Sequence, residues 1–309
     1  MATVQKISII IPVKNEEKNI KPLFEQLIAV LKKNKYLYEI IFVDDGSLDK
    51  TVEKIRLVKK LDRKVKLIQL RANFGKSVAL QSGFDKATGE IIITMDGDLQ
   101  DNPNEISRFV KKLNKGYDLV VGWKKKRHDP ISKTLPSKVI NFLVRFLTGV
   151  KIHDMNCGFK AYKKRVVENL NLYGDLYRFI PVLVDRDGYK ITEIPVKHRK
   201  RIYGESKYGW KRFVSGFLDL LTVFFLIRFL RRPGHFFGTI GIVFTAIGFL
   251  VGLYITYLRV TTGGIAYRYP LLFFGVLMII LGIQFLLTGL LSELIIFFQK
   301  KESTKKYIK

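Results

Sequence analysis

Residues 90–103 read EIIITMDGDLQDNP and decide the fold class. Short apolar runs rich in isoleucine that end in a polar cluster are typical of buried strands in a parallel sheet, so we predict a strand over Glu90–Asp96. Residues two apart in an extended chain point the same way, which would turn Asp96 and Asp98 toward one ligand. Paired carboxylates suit Mg²⁺ or Mn²⁺, and such an ion in turn holds a diphosphate. An Asp-x-Asp triplet alone is more often a solvated turn, but the strand before it and the helix-starting Pro103 after it favour a metal site.

The same alternation of strand and helix extends through the first half of the chain. Apolar runs predict strands at Ile7–Val13, Glu39–Asp44, Val65–Leu70, Glu90–Asp96 and Asp118–Gly122. Amphipathic segments predict helices near Glu16–Lys33, Asp49–Lys60, Lys76–Ala87 and Pro103–Lys115. This order predicts an α/β fold, a mostly parallel sheet with helices on both faces, whose ligands bind at the carboxyl ends of the strands. Polar clusters at residues 12–17, 44–47 and 96–100 mark that edge as the site.

The charge of the chain is strongly positive. A formal net charge of +27 over 309 residues requires an anionic partner, either nucleic acid, a membrane leaflet or phosphorylated substrates. The single cysteine, Cys157, excludes an internal disulfide and a cysteine-rich metal site and fits a reducing compartment. The first residues, MATVQKISIIIPVKNEE, are not expected to be a signal peptide because their apolar stretch is short and runs into charged residues.

Two long apolar segments near the C-terminus predict transmembrane helices. His235–Leu258 and Pro270–Phe298 each reach the roughly 20 residues that a bilayer requires. Buried core helices are the disfavoured alternative, because such helices normally keep a polar face. Basic residues flank the pair on its outer sides, whereas the loop Arg259–Tyr269 contains only two. The positive-inside rule therefore predicts a multi-pass protein of the plasma (inner) membrane with its catalytic domain and both termini in the cytoplasm.

Two further segments carry one polar and one apolar face. We predict that residues 135–148 and 207–232 form helices lying in the membrane interface. Ordinary packing on the sheet stays open for the first, and a third span stays open for Phe213–Leu230. The predicted domains are a catalytic domain at 1–206, an amphipathic juxtamembrane helix at 207–232, a two-helix transmembrane domain at 233–300 and a basic cytoplasmic tail at 301–309.

Several longer motifs resemble those of one enzyme family. They are Ile10–Glu16 (IIPVKNE), Asp45–Ser47 (DGS), Arg71–Lys76 (RANFGK), Met95–Asp101 (MDGDLQD), His153–Lys160 (HDMNCGFK) and Arg201–Gly209 (RIYGESKYG). The first four are similar to the family 2 glycosyltransferases of GT-A fold. The last two look like the polyprenyl-phosphate branch of that family, which includes bactoprenol glucosyltransferases and dolichol-phosphate mannose synthases. The resemblance covers the whole chain, and it departs from the family at Gly97, where alanine is commoner.

The resemblance implies inverting transfer of a sugar from a nucleotide donor to polyprenyl (undecaprenyl or dolichyl) phosphate at the cytoplasmic membrane face. The Leu-Gln pair after Asp98 is closer to the bactoprenol branch and favours a UDP-sugar, with UDP-glucose as the expected donor. GDP-mannose, UDP-N-acetylhexosamine and a modified pentose remain alternatives. The implied cofactor is Mg²⁺ or Mn²⁺. The implied partners are the nucleotide sugar, polyprenyl phosphate and membrane lipid, with a homo-oligomer left open.

The motifs also imply roles for individual residues on the donor side. The residues expected to bind the nucleotide sugar are Pro12, Asn15, Glu16, Asp44, Asp45, Lys76, Arg201 and Lys207. The residues expected to hold the metal are Asp96, Asp98 and Gln100. Arg201 and Lys207 would close over the donor and stabilise the departing diphosphate, because negative charge builds on the leaving group in the transition state. A basic patch for lipid head groups is the alternative for these two residues.

On the acceptor side, the resemblance places the ligands of the lipid phosphate at Lys124, Lys133 and Ser137. The family usually has arginine at the first two positions, and lysine keeps the charge but loses the fork geometry. Asp154 is expected to join Asp96 and Asp98 as a catalytic residue that steers or deprotonates the acceptor, with a carboxylate capping a turn as an equal alternative. His153 is not expected to bind a metal, since one histidine without a partner is a weak signal.

Two functions from other classes compete with this interpretation. The charge alone is compatible with a basic nucleic-acid-binding protein. A catalytically silent, basic membrane scaffold is the second alternative, and it would have no need of Asp96 or Asp98. Nucleic-acid binding leaves the apolar spans and the acidic strand ends unexplained, so no nucleic-acid partner is expected.

Overall fold

The structure is a computed structural model that describes residues 5–125, 145, 148–197, 199, 233–265 and 267–300, with side chains described through residue 295. The chain divides into two units, Met1–Phe224 and Phe225–Lys309. The predicted helix at 207–232, the tail at 301–309 and all of the predicted interface helix at 135–148 except Arg145 and Thr148 lie outside the described residues.

Within the described part of the first unit, seven strands form one mixed sheet in the order β3-β2-β1-β4-β6-β5-β7. The strands are β1 (Lys6–Val13), β2 (Leu37–Asp44), β3 (Val65–Gln69), β4 (Ile91–Thr94), β5 (Leu119–Trp123), β6 (Lys160–Lys163) and β7 (Ile191–Pro195). β1 pairs in parallel with both β2 and β4, β2 with β3, and β5 with β7. β6 is antiparallel to its two neighbours, β4 and β5. The predicted α/β class with a mostly parallel sheet is confirmed.

Helices connect the strands and cover the sheet. The α-helices that the structure describes with their bounds in the first unit are α1 (Ile20–Lys33), α2 (Thr51–Leu61), α3 (Lys76–Lys86), α4 (Ile106–Asn114), α5 (Lys164–Val167) and α6 (Ile180–Arg186). Short 3₁₀ helices lie at Pro103–Glu105 and Leu176–Phe179. The central strands are buried on both faces, and Ile7, Ile9, Ile10 and Ile11 of β1 have no exposed surface. Continuous isoleucine and valine runs are what a parallel sheet covered by helices on both sides requires.

A buried carboxylate ties three strands together near the start of β1, at the edge opposite the predicted site. Glu39 accepts hydrogen bonds from Ser8 Oγ at 2.5 Å and from Thr88 N at 2.7 Å, and it pairs with Lys66 Nζ at 2.6 Å. Burial opposes its ionisation, but the contacts with Lys66, Ser8 and Thr88 prevail and lower the pKa of Glu39 from 4.5 to about 2. The charged form is therefore the form that the fold stabilises.

We expect Glu39→Gln to lower the free energy of unfolding by about 2 kcal/mol at neutral pH, because a buried ion pair loses one partner. The folded pKa of Glu39 lies below its ordinary value, so its contribution is complete above about pH 4.5 and is lost as the pH falls toward 2. Thermal melting of the detergent-solubilised protein across that range measures the effect. Glu25→Gln, whose side chain is 60% exposed, is the control. A difference between wild type and Glu39→Gln that stayed constant down to pH 2 would contradict this account.

The second unit contains two long apolar helices, α7 (Pro233–Thr262) and α8 (Tyr269–Lys300). Their apolar windows have mean hydropathies of 2.2 and 2.5, and both are long enough to cross a membrane. The predicted segments are confirmed, and α7 extends past the predicted end at Leu258, which shortens the connecting loop.

Glycines bring the backbones of α7 and α8 into close contact. A Cβ on Gly241 would lie 2.7 Å from the carbonyl oxygen of Gly282, and one on Gly248 would lie 2.5 Å from that of Gly275. No side chain fits at such distances, so glycine is required at these contacts. At the start of α7, the Gly234 amide donates to Glu293 Oε1 of α8 at 3.2 Å. The two helices therefore form one tightly packed hairpin.

Candidate active site

The carboxyl edge of the parallel strands opens into a cleft of about 240 Å³. Six residues predicted for the donor and metal sites line it, namely Pro12, Glu16, Asp45, Lys76, Asp96 and Asp98. These residues come from the ends of β1, β2 and β4 and from the first turn of α3. The position agrees with the rule that ligands of open α/β sheets bind beyond the carboxyl ends of the strands.

The loop after β1 is fixed to the loop after β2. The backbone amide of Asn15 donates to Ser47 Oγ at 2.9 Å, and its side-chain oxygen accepts from the amide of Leu48 at 2.8 Å. Asn15 also has a φ of 56°, a left-handed conformation that asparagine tolerates better than most residues. The Glu16 amide donates to Thr51 Oγ1 at 2.8 Å. In this structure the Asn15 side chain links the loop after β1 to the loop after β2.

The two aspartates after β2 occupy different surroundings. Asp44 is fully buried, and its Oδ2 accepts from the Ser47 amide at 3.3 Å. Its other oxygen, Oδ1, has no hydrogen-bond partner among the described residues. Asp45 lines the cleft, and its carboxylate accepts from the amides of Phe74 at 2.8 Å and Gly75 at 3.1 Å. Asp45 thus holds the loop before α3 in place.

The metal-site motif lies beyond β4 rather than within it. β4 ends at Thr94, two residues short of the prediction, because the Asp96 amide donates to Asp101 Oδ2 at 3.2 Å and begins a turn. Leu99 takes a left-handed φ of 63° in the same turn. The extended geometry expected for Asp96 and Asp98 is therefore wrong in detail, although both residues still line one cleft.

A lysine pairs with the first of these carboxylates. Lys76 is the first residue of α3, and its ammonium group pairs with Asp96 Oδ1. Burial opposes the charge on Asp96, but the ammonium groups of Lys76 and Lys124 outweigh it and lower the pKa of Asp96 to about 2. The carboxylate is therefore ionised and available as a hard oxygen ligand.

Further charged groups lie behind the cleft. Lys124 Nζ lies 3.6 Å from Asp101 Oδ1, and the Lys124 amide donates to Asp154 Oδ2 at 3.4 Å. Burial alone would lower the pKa of Lys124, but the neighbouring carboxylates, led by Asp101, raise it above its ordinary value. The predicted acceptor ligand Lys124 and the predicted catalytic residue Asp154 therefore adjoin the metal-site motif.

The segment before β6 completes the site. Thr94 Oγ1 donates to the Gly158 carbonyl at 2.8 Å. A Cβ on Gly158 would lie 2.6 Å from both carboxylate oxygens of Asp96, so only glycine leaves room for that carboxylate. Lys160 is 3% exposed and donates to the Cys157 carbonyl, and burial lowers its pKa to about 8. Sequence reasoning quoted this segment as a motif but gave Gly158, Lys160 and the nearby Asp101 no separate role.

His153 lies to one side of the cluster. Its ring stacks on Trp123 with centroids 4.4 Å apart, its amide donates to Glu193 Oε2 at 2.7 Å, and its Nδ1 contacts Glu193 as well. These contacts attach the segment that carries Asp154 to β5 and β7.

The donor set fits a magnesium or manganese ion that shares its ligands with a substrate. Among the residues that the structure describes, no three His, Cys, Asp or Glu side chains gather into a metal site. Mg²⁺ commonly takes only one or two protein carboxylates and completes its shell with phosphate oxygens and water. Asp96 and Asp98 match that arrangement. Gln100, the third predicted ligand, donates from its backbone to Asp98 Oδ1 at 3.2 Å and from its side chain to the Arg199 carbonyl at 3.3 Å.

Four predicted site residues lie outside the described residues. They are Lys133, Ser137, Arg201 and Lys207. Their roles stay predictions.

Comparison with known proteins identifies the family. The model of glycosyl transferase family 2 matches residues 8–170. The chain is 38% identical to the dodecaprenyl-phosphate galacturonate synthase of Rhizobium johnstonii, over 94% of this chain and 87% of that protein. It is 35% identical to the undecaprenyl-phosphate 4-deoxy-4-formamido-L-arabinose transferase of Photorhabdus laumondii, over 94% of this chain and 89% of that protein.

Solved structures agree on the fold. The glucosyl-3-phosphoglycerate synthase of Mycobacterium tuberculosis, in complex with Mn²⁺ and UDP-glucose, superposes with a TM-score of 0.55 at 16% identity, over 72% of this chain and 79% of that one. At this identity the likeness concerns the fold alone. The family model and the full-length relatives, together with the acidic cleft at the sheet edge, lead to one conclusion: the chain belongs to glycosyl transferase family 2.

Proposed function

We propose that this glycosyltransferase moves a sugar from a nucleoside diphosphate onto the phosphate of a polyprenyl lipid. The observation that carries the proposal is the cleft in which Asp96 and Asp98 meet Lys76. Carboxylates for a divalent ion beside an ammonium group are the groups that a sugar diphosphate requires. The lipid acceptor is supported by the relatives from Rhizobium and Photorhabdus, whose names specify dodecaprenyl phosphate and undecaprenyl phosphate.

The proposed reaction forms one bond and breaks one bond. A phosphate oxygen of the acceptor attacks the anomeric carbon of the sugar, and the bond from that carbon to the donor diphosphate breaks on the opposite face, so the configuration inverts. The nucleoside diphosphate leaves with the electron pair. We assign binding of the donor to Pro12, Asn15, Glu16, Asp44, Asp45, Lys76, Arg201 and Lys207.

Asp96, Asp98 and Gln100 would hold Mg²⁺ or Mn²⁺ against the diphosphate. When bound, the ion supplies positive charge where the leaving group becomes more negative. Lys76, already in contact with Asp96, is placed to add a second cation to the same diphosphate. Since charge on the leaving group grows in the transition state, these contacts lower the barrier more than they tighten ground-state binding.

The acceptor phosphate is proposed to bind at Lys124, Lys133 and Ser137. The neighbouring carboxylates, led by Asp101, raise the pKa of Lys124 despite its burial and keep it charged. A lipid phosphate is already ionised near neutral pH, so positioning matters more than a strong base. Asp154 is 2% exposed and accepts from the Lys124 amide, which suits a residue that orients the acceptor.

For the sugar we propose glucose delivered as UDP-glucose. The support is the Leu99-Gln100 pair in the motif. The relatives named for galacturonate and for 4-deoxy-4-formamido-L-arabinose define the competing donors. The deciding experiment offers the purified, detergent-solubilised protein a panel of labelled UDP-sugars and GDP-mannose with undecaprenyl phosphate and follows label into the lipid. Transfer from UDP-glucose alone supports the full proposal, transfer of another sugar corrects its identity, and no labelled lipid from any donor contradicts the function.

We further propose that α7 and α8 span the cytoplasmic (inner) membrane with both termini inside. Only 11% of each apolar window is buried, so most of this apolar surface must be covered by something other than the protein itself. We expect cysteines placed at Gly263–Tyr267 to react with an impermeant thiol reagent in intact cells. Cysteines at Ala2 or Lys305 should react only after permeabilisation, and Cys157→Ser provides a background without native thiols. An external Lys305 would instead require a third span at Phe213–Leu230.

A further inference from the structure

The cleft already supplies Asp96 with a cation. Lys76 Nζ contacts Oδ1 of Asp96, and both side chains are 29% exposed, so the pair lies in the wall of the cleft within reach of a ligand. The same carboxylate is proposed to hold the divalent ion. Two cations cannot share one carboxylate oxygen at contact distance without strong mutual repulsion.

Several ammonium groups already act on Asp96 before any ligand binds. The ammonium groups of Lys76, Lys124 and Lys160 attract the Asp96 carboxylate, and that of Lys124 also attracts Asp101 and Asp154. A divalent ion entering alone would meet these ammonium groups at Asp96, whereas an ion that enters with a diphosphate brings compensating negative charge.

The Lys76 ammonium group has a second favourable contact besides Asp96. Its ammonium group lies 5.4 Å from the centroid of the Tyr177 ring, within the range of a cation–π contact. The Tyr177 amide donates to Ser77 Oγ at 3.1 Å, so the ring is anchored to the residue that follows Lys76. The long, flexible lysine stem allows the ammonium group to leave Asp96 without any change in α3.

We propose, on the basis of the function above, that Lys76 is the counterion of Asp96 in the free enzyme and gives up this position when the donor arrives. On release, its ammonium group bonds to the donor diphosphate. The free enzyme therefore holds a divalent ion weakly, and ion and nucleoside diphosphate bind cooperatively. Lys76 both suppresses metal binding without donor and strengthens donor binding once the metal is present.

Removing Lys76 should therefore shift two affinities in opposite directions. In Lys76→Met, full-length and in detergent, we expect Mn²⁺ affinity without nucleotide to rise about tenfold, while UDP affinity at saturating Mn²⁺ falls about tenfold. The EPR signal of free Mn²⁺ measures the first quantity and isothermal titration calorimetry the second. Lys86→Met removes one exposed charge from the end of the same helix and is the matched control. Lys76→Arg retains a cation and should keep Mn²⁺ affinity near the wild-type value.

The outcomes separate this inference from the function on which it rests. Mn²⁺ affinity unchanged or reduced in Lys76→Met would overturn the inference alone, provided that wild type binds Mn²⁺ in the presence of UDP. An equal rise of Mn²⁺ affinity in Lys86→Met would show that loss of any positive charge on α3 has this effect. That result would also overturn the inference. Wild type that binds no Mn²⁺ even with UDP would overturn the metal assignment and this inference together. Thermal melting establishes that each variant is folded.

Discussion

Asp98→Asn is expected to lower kcat/KM by about a thousandfold while leaving the protein folded, the size of loss seen when a group that stabilises transition-state charge is removed. Asp98 is 6% exposed and lines the cleft with Asp96, where a neutral amide of the same shape offers a divalent ion a much poorer ligand. Excess chelator should abolish wild-type turnover, and added Mg²⁺ or Mn²⁺ should restore it. Labelled-lipid formation under initial-rate conditions measures both effects.

The control for this variant is Asp85→Asn, an exposed aspartate of α3 that accepts from Gln81 and lies outside the cleft lining. It loses the same charge and should retain wild-type activity. Full turnover of the wild type in excess chelator would exclude a catalytic metal at Asp96 and Asp98. Normal turnover of Asp98→Asn would exclude Asp98 as its ligand.

Gly158→Ala is expected to lower kcat/KM by about a hundredfold, the cost of misplacing a catalytic group by about 1 Å. The added methyl carbon would lie 2.6 Å from both oxygens of Asp96, closer than any stable contact, so the carboxylate must shift from the position in which it pairs with Lys76. The substitution adds one carbon and changes no charge. Steady-state kinetics combined with Mn²⁺ titration in the presence of UDP would show whether activity and metal affinity fall together.

Gly252→Ala is the matched control, because a Cβ there meets no atom within 4 Å. It should keep both activity and metal affinity. If Gly158→Ala kept wild-type metal affinity and turnover, Asp96 would not act in the orientation that the structure shows. A loss of thermal stability without loss of activity in the folded fraction would indicate that Gly158 serves packing alone.

Strands β1, β2, β4 and β5 were predictable from the sequence because each contains a run of buried Ile, Val or Leu. The edge strand β3 is only partly buried, but its apolar residues Val65, Leu67 and Ile68 were enough to predict it. β6 was not predictable, since its sequence KAYK carries two lysines and looks exposed. Lys160 is nevertheless buried, with its ammonium group donating to the Cys157 carbonyl. The insertion of β6 between β4 and β5 depends on contacts between distant segments, and no local pattern encodes such contacts.

The candidate site was also predictable only in part from the sequence. Asp96, Asp98 and Asp45 were predictable because polar residues that directly follow buried strands meet at one edge of a sheet. Lys76 and Asp96, which pair in the structure, are 20 positions apart in the sequence. Gly158 and Asp96, which lie in contact, belong to the segment before β6 and the loop after β4. Both contacts depend on the order of the strands in the sheet. The sequence motifs therefore marked these residues as important but did not predict which residues touch.

The close glycine contacts between α7 and α8 have a consequence for how the chain is made. α7 is synthesised first, and its notches at Gly241 and Gly248 fit only the backbone of α8 at Gly282 and Gly275. In the membrane-spanning arrangement proposed above, lipid tails would offer no hydrophobic gain for joining two apolar helices, so α7 would gain its packing energy only after α8 had followed it into the bilayer. In that arrangement, biogenesis would include an interval in which the first inserted helix lacks its packing partner.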